Sequence, residues 1–311
     1  MKKNLIAILA LTTLFSCETI IDLDIDFDET QMAVNAVFCD QRVPGDSSVI
    51  VWVSDVLHPL SKRRINKYLT DGTTVALFEN GQFVENLQKV EQIRIDFDWV
   101  TGRTDTLLSG YFKSTRPLIP GNTYKVVANH PGKKEVSHTY THVPRVIPTS
   151  VKLTNPSTGE VTITFNNPEG IQTYLISITA KSQNPATWEW VEFSCLDPNF
   201  QAYSFSGFDP FEPDSSGFYT RFGFYVDNSS QAIQNQTIKL NIRNFDSSLL
   251  QKIQIEFGVV SESFPRYVAS YFAYYFSEDS FFSTPEPIFG NSSNGIGVSI
   301  GLSTGKFNIQ P

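Results

Sequence analysis

Four carboxylates stand at every second position, Asp22, Asp24, Asp26 and Asp28, an array that invites cation chemistry. A helix-loop-helix calcium loop beginning at Asp22 would need glycine where Phe27 stands and glutamate where Ala33 stands, so that reading fails. In an extended segment these acids share one side, and Ile21, Leu23, Ile25 and Phe27 share the other. His138 and His142 are a second candidate pair. On a helix they would face one ion, but the Thr, Tyr and Val around them favour a strand, where four residues span about 13 Å. Metal-ligand bonds are about 2 Å long, so no shared metal is expected.

Other signatures break at one position each. The stretch "GLSTGK", ending at Lys306, is one residue short of a phosphate-binding loop, and Phe307 stands where magnesium would need a hydroxyl. In "NGIGVSIG", Ile300 occupies the third glycine position of a dinucleotide fingerprint after Gly295 and Gly297. Acids are plentiful enough that a glycosidase-type carboxylate pair stays open. No catalytic residue, metal or cofactor emerges, and the chain is expected not to be an enzyme.

Aromatic residues are the stronger signal. Phe200, Tyr203, Phe205, Phe208, Phe211, Phe218, Tyr219, Phe222, Phe224 and Tyr225 crowd an insertion over residues 195–227 punctuated by Gly, Pro, Ser and Asp. Such side chains could pack beneath their own loop, anchor a protein partner, or stack on sugar rings. Tyr203, Phe205, Phe208 and Phe211 are the candidates for binding a partner or a glycan.

The elements that must carry these residues are strands. Segments such as "MAVNAVF", "SSVIVWVSDV", "TTVALFE", "IRIDFDWV" and "TYKVVANH" alternate or run apolar over strand lengths between turn residues. Asn80-Gly81 between "TVALF" and "FVENL" predicts a tight hairpin. The fold expected is mainly β, with two β-sandwich domains of immunoglobulin or fibronectin type in tandem, over residues 31–143 and 149–311. Pro144 and Pro148 mark the linker between them. One short C-terminal helix is expected where Tyr267, Tyr271, Tyr274 and Tyr275 recur at three and four residues.

The start of the chain reads as an address. Lys2 and Lys3 precede an apolar run from Asn4 to Phe15, too short to span a membrane, so residues 1–16 read as a signal peptide. Leu14, Phe15, Ser16 and Cys17 form Leu-x-small-Cys, which resembles a bacterial lipobox with Cys17 as the lipidated residue. Residues 17–30 then form an acidic tether. A net charge of −8 disfavours nucleic acid as a partner. Cys39 and Cys195 remain for either a disulfide or two buried thiols.

The ordered series "CETIIDLDID", "MAVNAVF", "VALFENGQFVENL", "GYFKSTRPLIPGNTYKVVANHPGKKEVSHTYTHVP", "VTITFNNPEGIQTYLISI" and "IFGNSSNGIGVSIG" resembles a family of Bacteroidota outer-membrane lipoproteins. That family is known as a domain of unknown function and is often encoded beside TonB-dependent receptors. The resemblance implies an outer-membrane, cell-surface, lipid-anchored protein acting as accessory to a β-barrel, with a TonB-dependent receptor as the expected partner. Membership of the outer-membrane assembly machinery and glycan binding are the alternatives.

Overall fold

The computed structural model describes residues 28–41, 44–56, 68–98, 103–170, 172–182, 188–203, 220–227, 231–278 and 288–310. The signal segment, Cys17, most of the acidic tether and the basic triplet Lys62-Arg63-Arg64 lie outside them.

The chain is mainly β, with several sheets and one α-helix among the described residues. Its largest sheet has ten strands. In spatial order nine of them are β14 (Phe200–Tyr203), β15 (Phe222–Asp227), β11 (Gln172–Ser182), β17 (Leu250–Val260), β18 (Ser299–Ile309), β1 (Met32–Cys39), β2 (Val49–Asp55), β6 (Arg103–Ser114) and β5 (Gln88–Asp98). The tenth, β12 (Trp188–Trp190), also pairs with β11. A four-stranded sheet holds β4 (Gln82–Asn86), β3 (Thr74–Glu79), β7 (Thr123–Asn129) and β8 (Val136–Thr141). A second holds β13 (Phe193–Ser194), β16 (Ile233–Ile242), β10 (Glu160–Asn167) and β9 (Ser150–Asn155). Helix α1 covers Ser263–Glu278.

Alternation decides which side chains go inside. In β1, Met32, Val34, Ala36 and Phe38 are buried while Ala33, Asn35 and Val37 are not. With Val51 of β2, Leu77 of β3, Tyr124 of β7 and Val136 of β8 they form the first core. The second core joins Val161, Ile163 and Phe165 of β10 to Tyr174 and Ile176 of β11 and Phe257 of β17. Its centre is a ring cluster, with Tyr174 and Phe257 stacked at 5.2 Å and Phe165 at 5.0 Å from Phe257. Burying each such side chain contributes about 2–3 kcal/mol. The hairpin at Asn80 and Gly81 takes the predicted form, with φ of 50° and 81°.

No strand lies between Thr141 and Ser150. The ten-stranded sheet nevertheless runs through both halves, because β18 pairs with β17 on one side and with β1 on the other. The β1–β18 pair is parallel, whereas every other strand pair described is antiparallel. Along β18, Gly301 lies beneath the Tyr140 ring and Phe307 packs against the second core, while Leu302 turns to the opposite face and meets α1. Both small sheets therefore cover one face of the large sheet, and α1 sits on the other.

The glycine-rich segment before β18 fastens the halves. Val34 N–H donates to the Ile296 carbonyl at 2.8 Å and Ala36 N–H to the Val298 carbonyl at 2.9 Å. Gly297, at φ +129°, lies so close to β1 that a Cβ there would collide with the Val34 carbonyl oxygen. The two histidines reinforce the same seam. His138 Nε2 lies 2.7 Å from the Val34 carbonyl, which can only accept, so that nitrogen carries the proton. His142 Nε2 lies 2.8 Å from Asp40 Oδ1.

Gly297→Ala should therefore lower stability by more than about 2 kcal/mol in denaturant titration, since backbone rather than a pliable side chain opposes the new methyl. Gly132→Ala, also at positive φ but with nothing near its Cβ, should cost about 1 kcal/mol. Burial also depresses the pKa of His138 below 6.5, against the opposing hydrogen bonds to Val34 and Asn291. The unfolded chain thus takes up this proton first as pH falls, so this contribution is intact above about 6.5 and is lost progressively below it. Denaturant titrations from pH 8 to 5 should show that decline, and His138→Gln should flatten it.

Candidate docking site

A β-ribbon leaves the body at the free edge of the large sheet. Strands β5 and β6 pair along their whole length, from Gln88 opposite Lys113 to Asp98 opposite Arg103. β2 supports β6 only between Val49 and Val51, opposite Ser114 to Phe112. Continuing that register sets Asp55, the last residue of β2, level with Leu108. The pairs Arg94–Asp98 and Arg103–Leu107 therefore extend past the end of β2 by about five residues, roughly 17 Å.

Along the ribbon the sequence alternates apolar with charged residues. Ile93, Ile95 and Phe97 pair with Leu108, Thr106 and Thr104, and Arg94, Asp96 and Asp98 pair with Leu107, Asp105 and Arg103. Ile93 is 74% exposed, the largest such value among the exposed bulky apolar residues described. A two-stranded ribbon is marginal in water without something against its apolar side.

The chain enters the body at the same end. Met32 pairs with Asp55 at the level where β2 stops. Just ahead of it, Asp28 is gripped by Lys134 Nζ at 2.6 Å, and Lys133 Nζ reaches both the Glu29 carbonyl at 2.7 Å and Asp55 at 2.5 Å. The Lys134 ammonium and the Thr30 hydroxyl and amide hold the Asp28 carboxyl down at about 2. Asp28 and Glu29 therefore lie near the end of β2, beside the base of the ribbon.

The aromatic insertion divides. Phe205, Phe208 and Phe211 lie outside the described residues, as do Phe218 and Tyr219. Tyr203 ends β14, the outermost strand at the far side of the large sheet. The described remainder is interior: Phe224 and Tyr225 are buried, and Phe200 packs on the second core with its ring 5.8 Å from Phe193. Two neighbouring tryptophans are exposed instead. Trp188 and Trp190, 45% and 55% exposed, stand on one side of the short edge strand β12. The alternation in "TWEWVEF" carries that signal, and sequence reasoning passed over it. β12 pairs with Thr179–Lys181, at the end of β11 away from Thr173, so the tryptophans lie toward the opposite end from the ribbon.

The other sequence motifs are structural. "GLSTGK" is strand β18, with Gly305 beneath Arg145, and the glycines of "NGIG" admit β1. Among the described residues no three His, Cys, Asp or Glu side chains gather as a metal ion would require. Cys39 and Cys195 form no disulfide and lie in different halves, and burial pushes the Cys195 thiol up to about 11. No described helix is long and apolar enough to cross a membrane.

Maleimide labelling of the native protein at pH 7.5 should accordingly modify Cys195 at least tenfold more slowly than after unfolding, because the thiolate is the reactive form. The double variant Trp188→Ser/Trp190→Ser should keep its unfolding free energy within about 0.5 kcal/mol, as expected of exposed positions.

No curated protein matches the chain. A family model, Domain of unknown function (DUF4249), matches residues 18–307, which takes in both cores, the ribbon and nearly all of β18. The chain therefore belongs to the DUF4249 family.

Proposed function

We propose that this protein is a non-enzymatic lipoprotein of the outer membrane, displayed at the cell surface, that docks on a β-barrel of the same membrane as an accessory subunit. The observation that carries this reading is the β5–β6 ribbon, alternating apolar and charged in sequence, which runs past the end of β2 at the level of Met32, where the first described strand begins. The lipobox supplies the anchor, since acyl chains contribute about 0.8 kcal/mol per buried methylene and several chains hold durably. The stretch from Cys17 to Asp28 spans at most about 40 Å when extended, so the ribbon stays close to the membrane. There it can offer a barrel rim both an apolar side and strand edges with unpaired N–H and C=O groups, the requirements of strand addition. A bare lipid interior would leave those backbone groups unsatisfied, which favours a protein partner.

The TonB-dependent transporter is the partner this reading prefers, on the strength of the resemblance in the sequence to lipoproteins of Bacteroidota encoded beside such receptors. A barrel of the assembly machinery is the alternative, and the identity of the co-purified barrel separates the two. The exposed Trp188 and Trp190 leave a second surface for a soluble partner or a glycan.

Affinity purification from outer membranes in mild detergent should recover a barrel in near-stoichiometric amount. Ile95→Asp/Phe97→Asp should reduce that recovery at least tenfold while the protein stays folded and acylated. Recovery of the wild type alone, with no barrel, would count decisively against docking. Cys17→Ala should abolish incorporation of labelled palmitate and release the protein from membranes.

A further inference from the structure

The face of the large sheet that carries α1 is only partly covered. Phe264, Tyr267 and Val268 of the helix pack over Phe224, Val260 and Leu302, and among the described residues the cover stops there. Beside it, over β1 and β2, lies an open cleft of about 300 Å³. Its walls include the aromatic rings of Trp52, Tyr68 and Tyr267, and Ile300 is among its apolar lining. Tyr111 backs Trp52 at 6.3 Å and Tyr271 backs Tyr267 at 6.2 Å, so two of the walls are braced by a second ring.

Polar groups line the same space. Asn35 accepts the Val298 N–H through Oδ1 at 3.1 Å, which fixes its amide and leaves the NH₂ as the group to donate. Ser54 Oγ and the hydroxyls of Tyr68 and Tyr267 have no hydrogen-bond partner among the described residues. Among the described residues no charged side chain lines the cleft.

We propose that this cleft binds a single neutral sugar ring, such as the terminal unit of a glycan. Aromatic walls suit the C–H faces of a pyranose, and the Asn35 NH₂ with the Ser54, Tyr68 and Tyr267 hydroxyls suits its ring substituents. A purely apolar occupant, such as an aliphatic side chain of a peptide, would bury those polar groups unsatisfied. An acidic or basic ligand would find no counter-charge. The volume sits at the lower end of small-molecule sites, which fits one ring rather than a chain of them. This site is distinct from the ribbon and does not depend on docking, since Trp52 and Tyr267 belong to the body of the fold.

The test uses the purified full chain in a non-glycoside detergent, because alkyl maltosides would compete. Saturation-transfer NMR is run with galactose, mannose, fucose, rhamnose and N-acetylglucosamine, with glucuronic acid as the charged comparison. At least one neutral sugar should show saturable transfer to its ring C–H protons at millimolar concentration. Trp52→Ala should weaken that binding at least tenfold and Trp188→Ala should leave it unchanged. Tyr267→Phe, which removes one hydroxyl and preserves the packing, should weaken it about threefold to tenfold. The proposal is overturned if no neutral sugar binds, if glucuronic acid binds more tightly than any of them, or if Trp188→Ala rather than Trp52→Ala removes the signal.

Discussion

The structure depends on one close approach, that of the glycine-rich segment around Gly297 to strand β1. Backbone meets backbone there, and the Ile296 and Val298 carbonyls take the amides of Val34 and Ala36. The approach makes possible the parallel pairing of β1 with β18, and that pairing joins the two cores into one sheet. Parallel neighbours require a long connection, and here it is nearly the whole chain. The pairing thus closes a very long loop, from Ala36 to Ser299, so the seam gains little from local propensity and must be held by fit. His138 and His142 add hydrogen bonds to the Val34 carbonyl and to Asp40 along the same line.

Joining the halves gives the molecule two unlike faces. One is closed by the two small sheets and holds both cores. Among the described residues the other is closed only where α1 lies, and the part beside it is lined by aromatic rings rather than charges. The two ends differ as well. At one, Asp28 and Glu29 lie beside the β5–β6 ribbon; toward the other, Trp188 and Trp190 stand on the short strand β12. A protein held to a surface by its N-terminal segment would therefore present the ribbon inward and the tryptophans outward.

Much of the local structure was legible in the sequence. The alternation of "MAVNAVF" gave the buried set of β1, Asn80-Gly81 gave its hairpin, and the recurring tyrosines gave the helix over Ser263–Glu278. The site was less legible. "IRIDFDWV" reads as an ordinary strand, and nothing in it says that β2 stops short and leaves β6 supported along only part of its length. The aromatic insertion drew attention by its density, yet its described members Phe224 and Tyr225 fill the interior, while the exposed rings belong to the shorter run "WEW".

What the sequence by itself determined was strand, turn and helix, the mainly β class, and a lipobox-like N-terminus ahead of an acidic run. These are properties of short windows, because hydrophobic period and turn chemistry act over a few residues. Only the tertiary structure decided that one sheet serves both cores, that the histidines are pegs in a seam, and that Trp52, Tyr68 and Tyr267 share a cleft. Those facts depend on which distant strands become neighbours. That choice is made by the fit of whole surfaces, and at Gly297 by the absence of a single methyl group.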